Sequence, residues 1–227
     1  MTLPAELIEA IVGYIADEAP ADLRAAALIH RDWTLICQRK LFSRVVAFGD
    51  RWLLLQNILR ITPHLRPLVR ELVIRSSAPS PPADETATLF PRVSTVDIDQ
   101  LDCPLLNSLP GVTKLVFRES WMDVTTTQEP CAVLLESVAY DHQYGEKAQG
   151  PLLEWLCRGD LQRVRSANLV HAWDQHAIVA RFLSQAIHLQ HLHFFIPTIL
   201  IHGWDSRSQR ELSAYCHGLL LTAQTQT

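Results

Sequence analysis

The chain has 227 residues, of which 48% are apolar, and a formal net charge of −4. This length and composition predict a folded chain of one or two domains with a sizeable core. Because no basic block occurs anywhere, we expect no nucleic-acid partner.

Cysteine usage and the uncharged stretches bear on the compartment. The five cysteines are scattered, without a CxxC pair, at Cys37, Cys103, Cys131, Cys157 and Cys216. This pattern is typical of a reducing compartment, so we expect a cytoplasmic or nuclear protein. The N-terminus lacks the basic region of a secretory signal, and the longest uncharged stretch, 182–204, contains four histidines. We therefore expect no membrane partner.

The opening residues follow a helical period. The apolar positions on one broad face are Leu3, Leu7, Ile8, Ile11, Val12 and Ile15. Pro4 fits the first helical position, and the helix is expected to end near Asp17–Pro20. A second helix begins at Asp22, whose carboxylate is predicted to cap it, and a break near His30 precedes a third helix. Three short helices bury too little surface to be stable alone, so they need either the rest of the chain or another protein.

This segment resembles an F-box that starts right after the initiating methionine, as in the large F-box-like families of fungi. The matching residues, in family order and spacing, are Leu3, Pro4, Glu6, Leu7, Ile11, Ile15, Asp22, Leu23, Leu28, Ile29, Trp33, Leu41, Phe42 and Val45. His30 departs from the family, which often has Cys there. The resemblance implies a helical domain over residues 1–48 that docks onto the adaptor of a cullin–RING ubiquitin ligase of the SCF type. It places Leu3, Pro4, Leu7, Ile8 and Ile11 at the adaptor. From the residues alone, the alternative is a helical piece packed on its own chain.

An apolar triad of the form L-x-x-L-x-L recurs after a predicted linker helix at 49–66. It occurs at 69–74, 93–98, 112–117, 135–140, 164–169 and 189–194. The steps between middle residues range from 19 to 29, which is close to the period of leucine-rich repeats. Strands at the triads and helices between them predict a parallel sheet with helices outside.

The predicted fold class is therefore α+β or α/β, with an irregular leucine-rich-repeat-like domain over 67–205. This half resembles the irregular repeats that commonly follow fungal F-boxes, although the asparagine ladder is absent. A non-solenoid α/β layer is the alternative. A capping box at Ser208 and Glu211 predicts a terminal helix within 206–227 that covers the last repeat.

Alternation along the strands predicts an open face of the sheet with columns of side chains. One column reads Arg75, Asp99, Arg118, Asp141, Val170 and Phe195, and its first four charges alternate, so neighbours are expected to pair. The face is either a surface charge ladder or a recognition face for a protein target. In the second interpretation the target-binding residues are Lys114, Arg118, Asn168, His191, His193 and Phe195.

Chemical sites have weak support. Asp97, Asp99 and Asp102 lack a third cluster of ligands, and His188 need not share the face of His191 and His193, so we expect no metal. A nucleophile at Cys131 or Cys157 beside Asp141 and His142 is an arrangement that chance supplies. Phosphate-loop and nucleophile-elbow motifs are missing, so we expect no cofactor and no catalysis.

These observations leave three hypotheses. The first is a substrate-recruiting ligase subunit that docks the adaptor through the helices and a protein target through the repeats. The second is an interaction scaffold whose N-terminal helices cap the repeats. The third is a small α/β enzyme, which requires a deep polar pocket with convergent titratable groups.

Overall fold

The computed structural model describes residues 3–75, 82–99, 103–118, 130–140, 149–170 and 176–195. The helices in this part of the chain are α1 (Ala5–Glu18), α2 (Leu23–Ala26), α3 (Arg31–Ser43), α4 (Arg51–Ile61), α5 (Ala83–Leu89), α6 (Cys103–Asn107), α7 (Gln149–Leu156) and α8 (His176–Gln185). The strands are β1 (Arg44–Phe48), β2 (Glu71–Arg75), β3 (Thr95–Ile98), β4 (Lys114–Phe117), β5 (Ser137–Tyr140), β6 (Ser166–Val170) and β7 (His191–Phe195). Short 3₁₀ turns lie at Pro20–Asp22 and Pro63–Leu68.

The strands follow one another in chain order in a seven-stranded parallel sheet. The predicted parallel sheet with intervening helices is therefore confirmed. The register agrees with the predicted column where β6 pairs with β7, since Val170 lies opposite Phe195. Elsewhere Glu71 lies opposite Thr95, and Ser166 lies opposite both Ser137 and His191.

A backbone hydrogen-bond pattern repeats at the start of the strands. The carbonyl oxygen of the residue just before a strand accepts N–H groups from two successive residues at the start of the next strand. This occurs at Arg70, Ser94, Glu136 and Arg165, with donor–acceptor distances between 2.8 and 3.1 Å. The pattern aligns the beginnings of neighbouring strands, so each triad occupies the same position in its own repeat.

In the structure, each of the strands β2 to β7 begins two residues after the first residue of its triad. The first apolar residue of the triad lies in the connection before the strand, yet it is buried in five of the six repeats, as at Val69 and Val164. Each triad therefore includes residues of the strand and one apolar residue of the connection before it, which is buried in five of the six repeats.

Strand β1 is a correction to the sequence prediction, which placed residues 44–48 in the helical domain. Helix α3 ends at Ser43 and the chain continues directly into β1, whose residues pair in parallel with β2. The signal was present in the sequence: Phe42, Val45 and Ala47 form a further triad, whose middle residue lies 27 positions before Leu72. Two of these residues, Phe42 and Val45, also match the F-box pattern, and for that reason they were assigned to the helical domain.

The helix ends agree with the sequence except at two caps and in the predicted linker helix at 49–66, where α4 ends at Ile61 and a 3₁₀ turn follows at Pro63–Leu68. Helix α1 ends within the predicted region, and His30 separates α2 from α3, with its Nδ1 accepting a hydrogen bond from the Asp32 backbone N–H. Pro4 is the N-cap residue of α1 rather than its first helical residue. The predicted Asp22 cap is wrong, because Asp22 is itself in helical conformation and its carboxylate makes no capping hydrogen bond.

The chain divides into two compact units, residues 1–115 and 116–227. In the first unit, Trp52 of α4 stacks on Phe90 with ring centroids 5.6 Å apart. In the second, Phe117 and Tyr140 lie 6.2 Å apart, and the indole of Trp155 is fully buried. No helix among the described residues is both long enough and apolar enough to cross a bilayer. The terminal helix predicted within 206–227 lies outside the described residues.

Candidate docking surfaces

The three N-terminal helices enclose a small core of their own. Its buried members are Ile8, Val12, Leu23, Ala26 and Cys37, and half-buried side chains, including those of Trp33 and Leu41, pack around them. Trp33 and Leu41 therefore help to hold the three helices together.

The predicted adaptor-binding residues lie in α1 or just before it, and they differ in exposure. Leu3 and Leu7 are each 46% exposed, Pro4 is exposed and Ile11 is half-buried. Ile8 differs, since only 3% of its surface is accessible and it packs inside the helical core. Ile8 is therefore not accessible to a partner, and the exposed apolar surface at this end of the chain consists of Leu3, Pro4 and Leu7, with half-buried Ile11 at its edge.

Exposed apolar side chains are concentrated near the N-terminus. Among the described residues fifteen large apolar side chains are exposed, and twelve of them lie in the first 61 residues. These twelve are Leu3, Leu7, Tyr14, Leu28, Ile29, Leu35, Val46, Phe48, Leu53, Leu54, Ile58 and Ile61. Exposed apolar side chains that adjoin one another mark interaction sites, whereas those exposed singly are ordinary surface.

The predicted target-binding residues are only partly brought together. Asn168, His191 and His193 line one shallow groove of about 340 Å³ on β6 and β7, where His193 Nδ1 lies 3.2 Å from Asn168 Oδ1. Lys114 is exposed on β4 and Arg118 is half-buried just after that strand. Phe195 ends β7, and its side chain lies outside the described residues.

Ion pairs link the first strands on the face that was predicted to be open. Arg44 Nε lies 3.0 Å from Glu71 Oε1 across β1 and β2. Arg75 reaches both Asp97 Oδ1, at 2.8 Å, and Asp99 Oδ1, at 3.1 Å. The predicted pairing of Arg75 with Asp99 is therefore confirmed, whereas the expected pair of Asp99 and Arg118 stays a prediction.

Two positions on this face correct the prediction of an open surface. Val73 and Asp97, which alternation places there, are 3% and 2% exposed. The long side chain of Arg75 lies across the neighbouring strand, where it also donates to the Asp97 backbone carbonyl. The face at β2 and β3 is therefore a packed ion-pair network rather than a free recognition surface.

No group of three or more His, Cys, Asp or Glu side chains suited to a metal ion occurs within the described ranges. Asp97 and Asp99, the strongest sequence candidates, both pair with Arg75. Asp102 lies outside those ranges.

The thiols considered as nucleophiles are buried. Burial raises the pKa of the Cys131 and Cys157 thiols, each to about 11, from an ordinary value near 9. A thiol is nucleophilic as its thiolate, so these side chains are poorly suited to covalent catalysis. Asp141 and His142, their predicted partners, lie outside the described residues.

We expect both thiols to resist alkylation in the folded protein. At pH 8 a rise of two pKa units lowers the thiolate fraction about a hundredfold, and burial slows the reaction further. Iodoacetamide labelling of the full chain, followed by peptide mass spectrometry, tests this with the urea-unfolded chain as the control. Equal labelling of folded and unfolded protein at either cysteine would contradict it.

The same shifts predict a stability change with pH. The unfolded thiols lose their protons near pH 9, whereas the folded ones keep them until about pH 11. The free energy of unfolding should therefore fall as the pH rises from about 9 to about 11.

No protein-family model, curated protein or solved structure matches this chain.

Proposed function

We propose that this chain recruits substrates to a cullin–RING ubiquitin ligase of the SCF type, docking the ligase adaptor through its N-terminal helices and a protein target through its repeats. It forms and breaks no bond itself, because its contribution is to hold the target near the transfer machinery. The proposal joins the F-box resemblance of residues 1–48 to the distribution of exposed apolar surface.

The observation that carries the proposal is the exposed stripe of α1 beside the buried one. The apolar side chains in α1 and just before it cover a wider arc than the helical core buries. Ile8 and Val12 lie in that core, whereas Leu3 and Leu7 stay exposed. Completing the burial of a large aliphatic side chain stabilises a complex by about 1 kcal/mol or more. Further exposed apolar residues lie in the turn at Leu28 and Ile29, so a partner has more than one apolar anchor to cover.

The repeated carbonyl pattern supports a leucine-rich-repeat-like interpretation of the second half. Strands β3, β4, β6 and β7 each start at an equivalent position relative to the strand before them, as expected of repeats that stack on their neighbours. The polar groove at Asn168, His191 and His193 then serves as a candidate target contact.

A second candidate function, the interaction scaffold, is favoured by a different observation. Helix α3 runs into β1 without a linker, and the Arg70 backbone N–H donates to the Ser43 carbonyl oxygen at 2.9 Å. Helices joined to the first strand in this way suit a cap on the repeats. A cap, however, leaves the exposed side chains of α1 without a role.

Co-expression of the full chain with the F-box-binding adaptor, followed by size-exclusion chromatography, tests the proposal. Wild type is expected to co-elute one-to-one with the adaptor, and Leu7→Asp is expected to abolish co-elution because a buried charge at the interface is costly. Leu134→Asp is the matched control, since Leu134 is similarly exposed, at 42%, and lies outside the helices.

The outcomes separate the two candidates. Loss of co-elution with Leu7→Asp, but not with Leu134→Asp, supports docking through α1, provided that both variants keep the wild-type circular dichroism. A folded wild-type chain that elutes without the adaptor overturns the ligase proposal and favours the scaffold.

A further inference from the structure

A shallow groove between α7 and α8 brings two arginines together. It has a volume of about 300 Å³ and is lined by Glu154, Arg158, Ala177, Ile178 and Arg181. Arg158 follows the end of α7, and Arg181 lies in the middle of α8. The two arginines therefore reach the groove from different elements, and Ala177 and Ile178 add apolar side chains to its lining.

Among the residues that the structure describes, no carboxylate forms an ion pair with either guanidinium. The ion pairs among the described residues involve His30, Arg44, Arg60 and Arg75, and none includes Arg158 or Arg181. Glu154 also lines the groove without pairing to either arginine. Burial is the main cause of the raised pKa of the neighbouring Cys157 thiol. The charge of Arg181 lowers this pKa, and the charge of Glu154 raises it. The described residues that line the groove include three charged side chains, whose charges sum to +1.

Two arginines that line one small groove suit an oxyanion. Arginine presents a planar set of N–H donors that bind carboxylate or phosphate oxygens in pairs. A phosphate group has three terminal oxygens and a charge between about −1.5 and −2 at pH 7, so it can engage both guanidiniums at once. A carboxylate has only two oxygens and one negative charge. Glu154 repels any bound anion and the two arginines attract it, and both effects grow with the charge of the anion.

We propose that the groove between α7 and α8 binds one oxyanion on a peptide side chain, with phosphate bound more tightly than carboxylate, between Arg158 and Arg181. The inference deepens the proposed function, on which it rests for the identity of the peptide as part of the recruited target. The groove is small enough to select a single side chain rather than an extended segment.

Side-chain NMR of the full chain with ¹⁵N-labelled arginine tests the proposal at low ionic strength, where exposed charges are least screened. The probe is the capped tripeptide Ac-Ala-phosphoserine-Ala-amide, and the same peptides with serine or glutamate in the centre identify the source of the oxyanion. The Nε–H signals of Arg158 and Arg181 are expected to shift together and to saturate with the phosphopeptide. The glutamate peptide should bind more weakly, and the serine peptide should leave both signals unmoved.

Four variants, each expected to change the affinity for the phosphopeptide in a stated direction or to leave it unchanged, complete the test. Arg158→Gln and Arg181→Gln are each expected to weaken phosphopeptide binding about tenfold, the loss expected for a charge-assisted pair. Glu154→Gln is expected to tighten it roughly threefold by removing a repulsive charge. Arg163→Gln is the matched control, because it removes the same charge from an exposed position outside the groove.

Equal binding of the serine and phosphoserine peptides would overturn the proposal, as would an equal loss of affinity with Arg163→Gln. Binding of the glutamate peptide alone would overturn the preference for phosphate. None of these measurements involves the adaptor, so a failure here is distinguishable from a failure of the docking experiment.

Discussion

Replacing Arg75 with methionine is expected to destabilise the protein by about 3–5 kcal/mol, the usual cost of breaking a buried ion pair from one side. The Arg75 guanidinium holds two carboxylates on β3 and the loop that follows, at 2.8 Å from Asp97 and 3.1 Å from Asp99. The Asp97 side chain is only 4% exposed, so water cannot readily replace the lost partner. Methionine keeps most of the side-chain volume, which limits the loss of packing.

The matched control is the same substitution at Arg44. Arg44 pairs with Glu71 across β1 and β2, but the two side chains are 57% and 34% exposed. Exposed pairs contribute about 0–1 kcal/mol, so Arg44→Met should change the free energy of unfolding by no more than that. Urea unfolding followed by circular dichroism measures both variants. Similar losses in the two variants would show that the Arg75 network is no more than surface charge.

The strands could be predicted from the sequence because their apolar residues alternate with period two, which fits a strand and not a helix. Period-two alternation at 72 and 74, or at 96 and 98, places both side chains on the same face, and five of the six triads are buried throughout. The last triad is the exception, since Leu192 is exposed on β7 at the end of the strand order. Pattern specifies which side a residue faces, whereas burial depends on whether a neighbour covers that side.

The docking face could be predicted only in part for the same reason. Leu7 and Ile8 are adjacent in sequence and equally apolar, and α1 presents them on neighbouring stripes. Which stripe is buried depends on where α2 and α3 pack, and that placement is a tertiary contact without a local signal. The helical period therefore identified the apolar arc of α1 but could not separate exposed Leu7 from buried Ile8.

Burial of Asp97 was missed because it depends on the reach of another side chain. A carboxylate at an outward-facing strand position is expected to be solvated. Arg75 lies two residues beyond the position paired with Asp97, and its length lets the guanidinium fold back over that carboxylate. The spacing of charges along a column predicted the pair with Asp99, but not the covering of Asp97.

Replacing Gly159 with alanine is expected to destabilise the second unit by about 3 kcal/mol, the upper part of the usual range for an overpacked site. A Cβ atom at this position would overlap the carbonyl oxygen of Cys131 and would lie 2.7 Å from the Cβ of Cys131. Both contacts involve atoms that no rotamer change can move. Relief requires a shift of the backbone at Cys131, a residue whose side chain is itself buried.

Gly13→Ala provides a control of opposite sign. Gly13 lies inside α1, and a Cβ there would meet nothing within 4 Å. Alanine in a helix interior is favoured over glycine by about 0.5–1 kcal/mol, so this variant should be more stable than wild type. Hydrogen exchange followed by mass spectrometry separates the two effects, because Gly159→Ala should lower protection in α7 and around Cys131 while Gly13→Ala raises it in α1. Unchanged protection around Cys131 in Gly159→Ala would mean that the close approach of the two backbone segments does not constrain the folded chain.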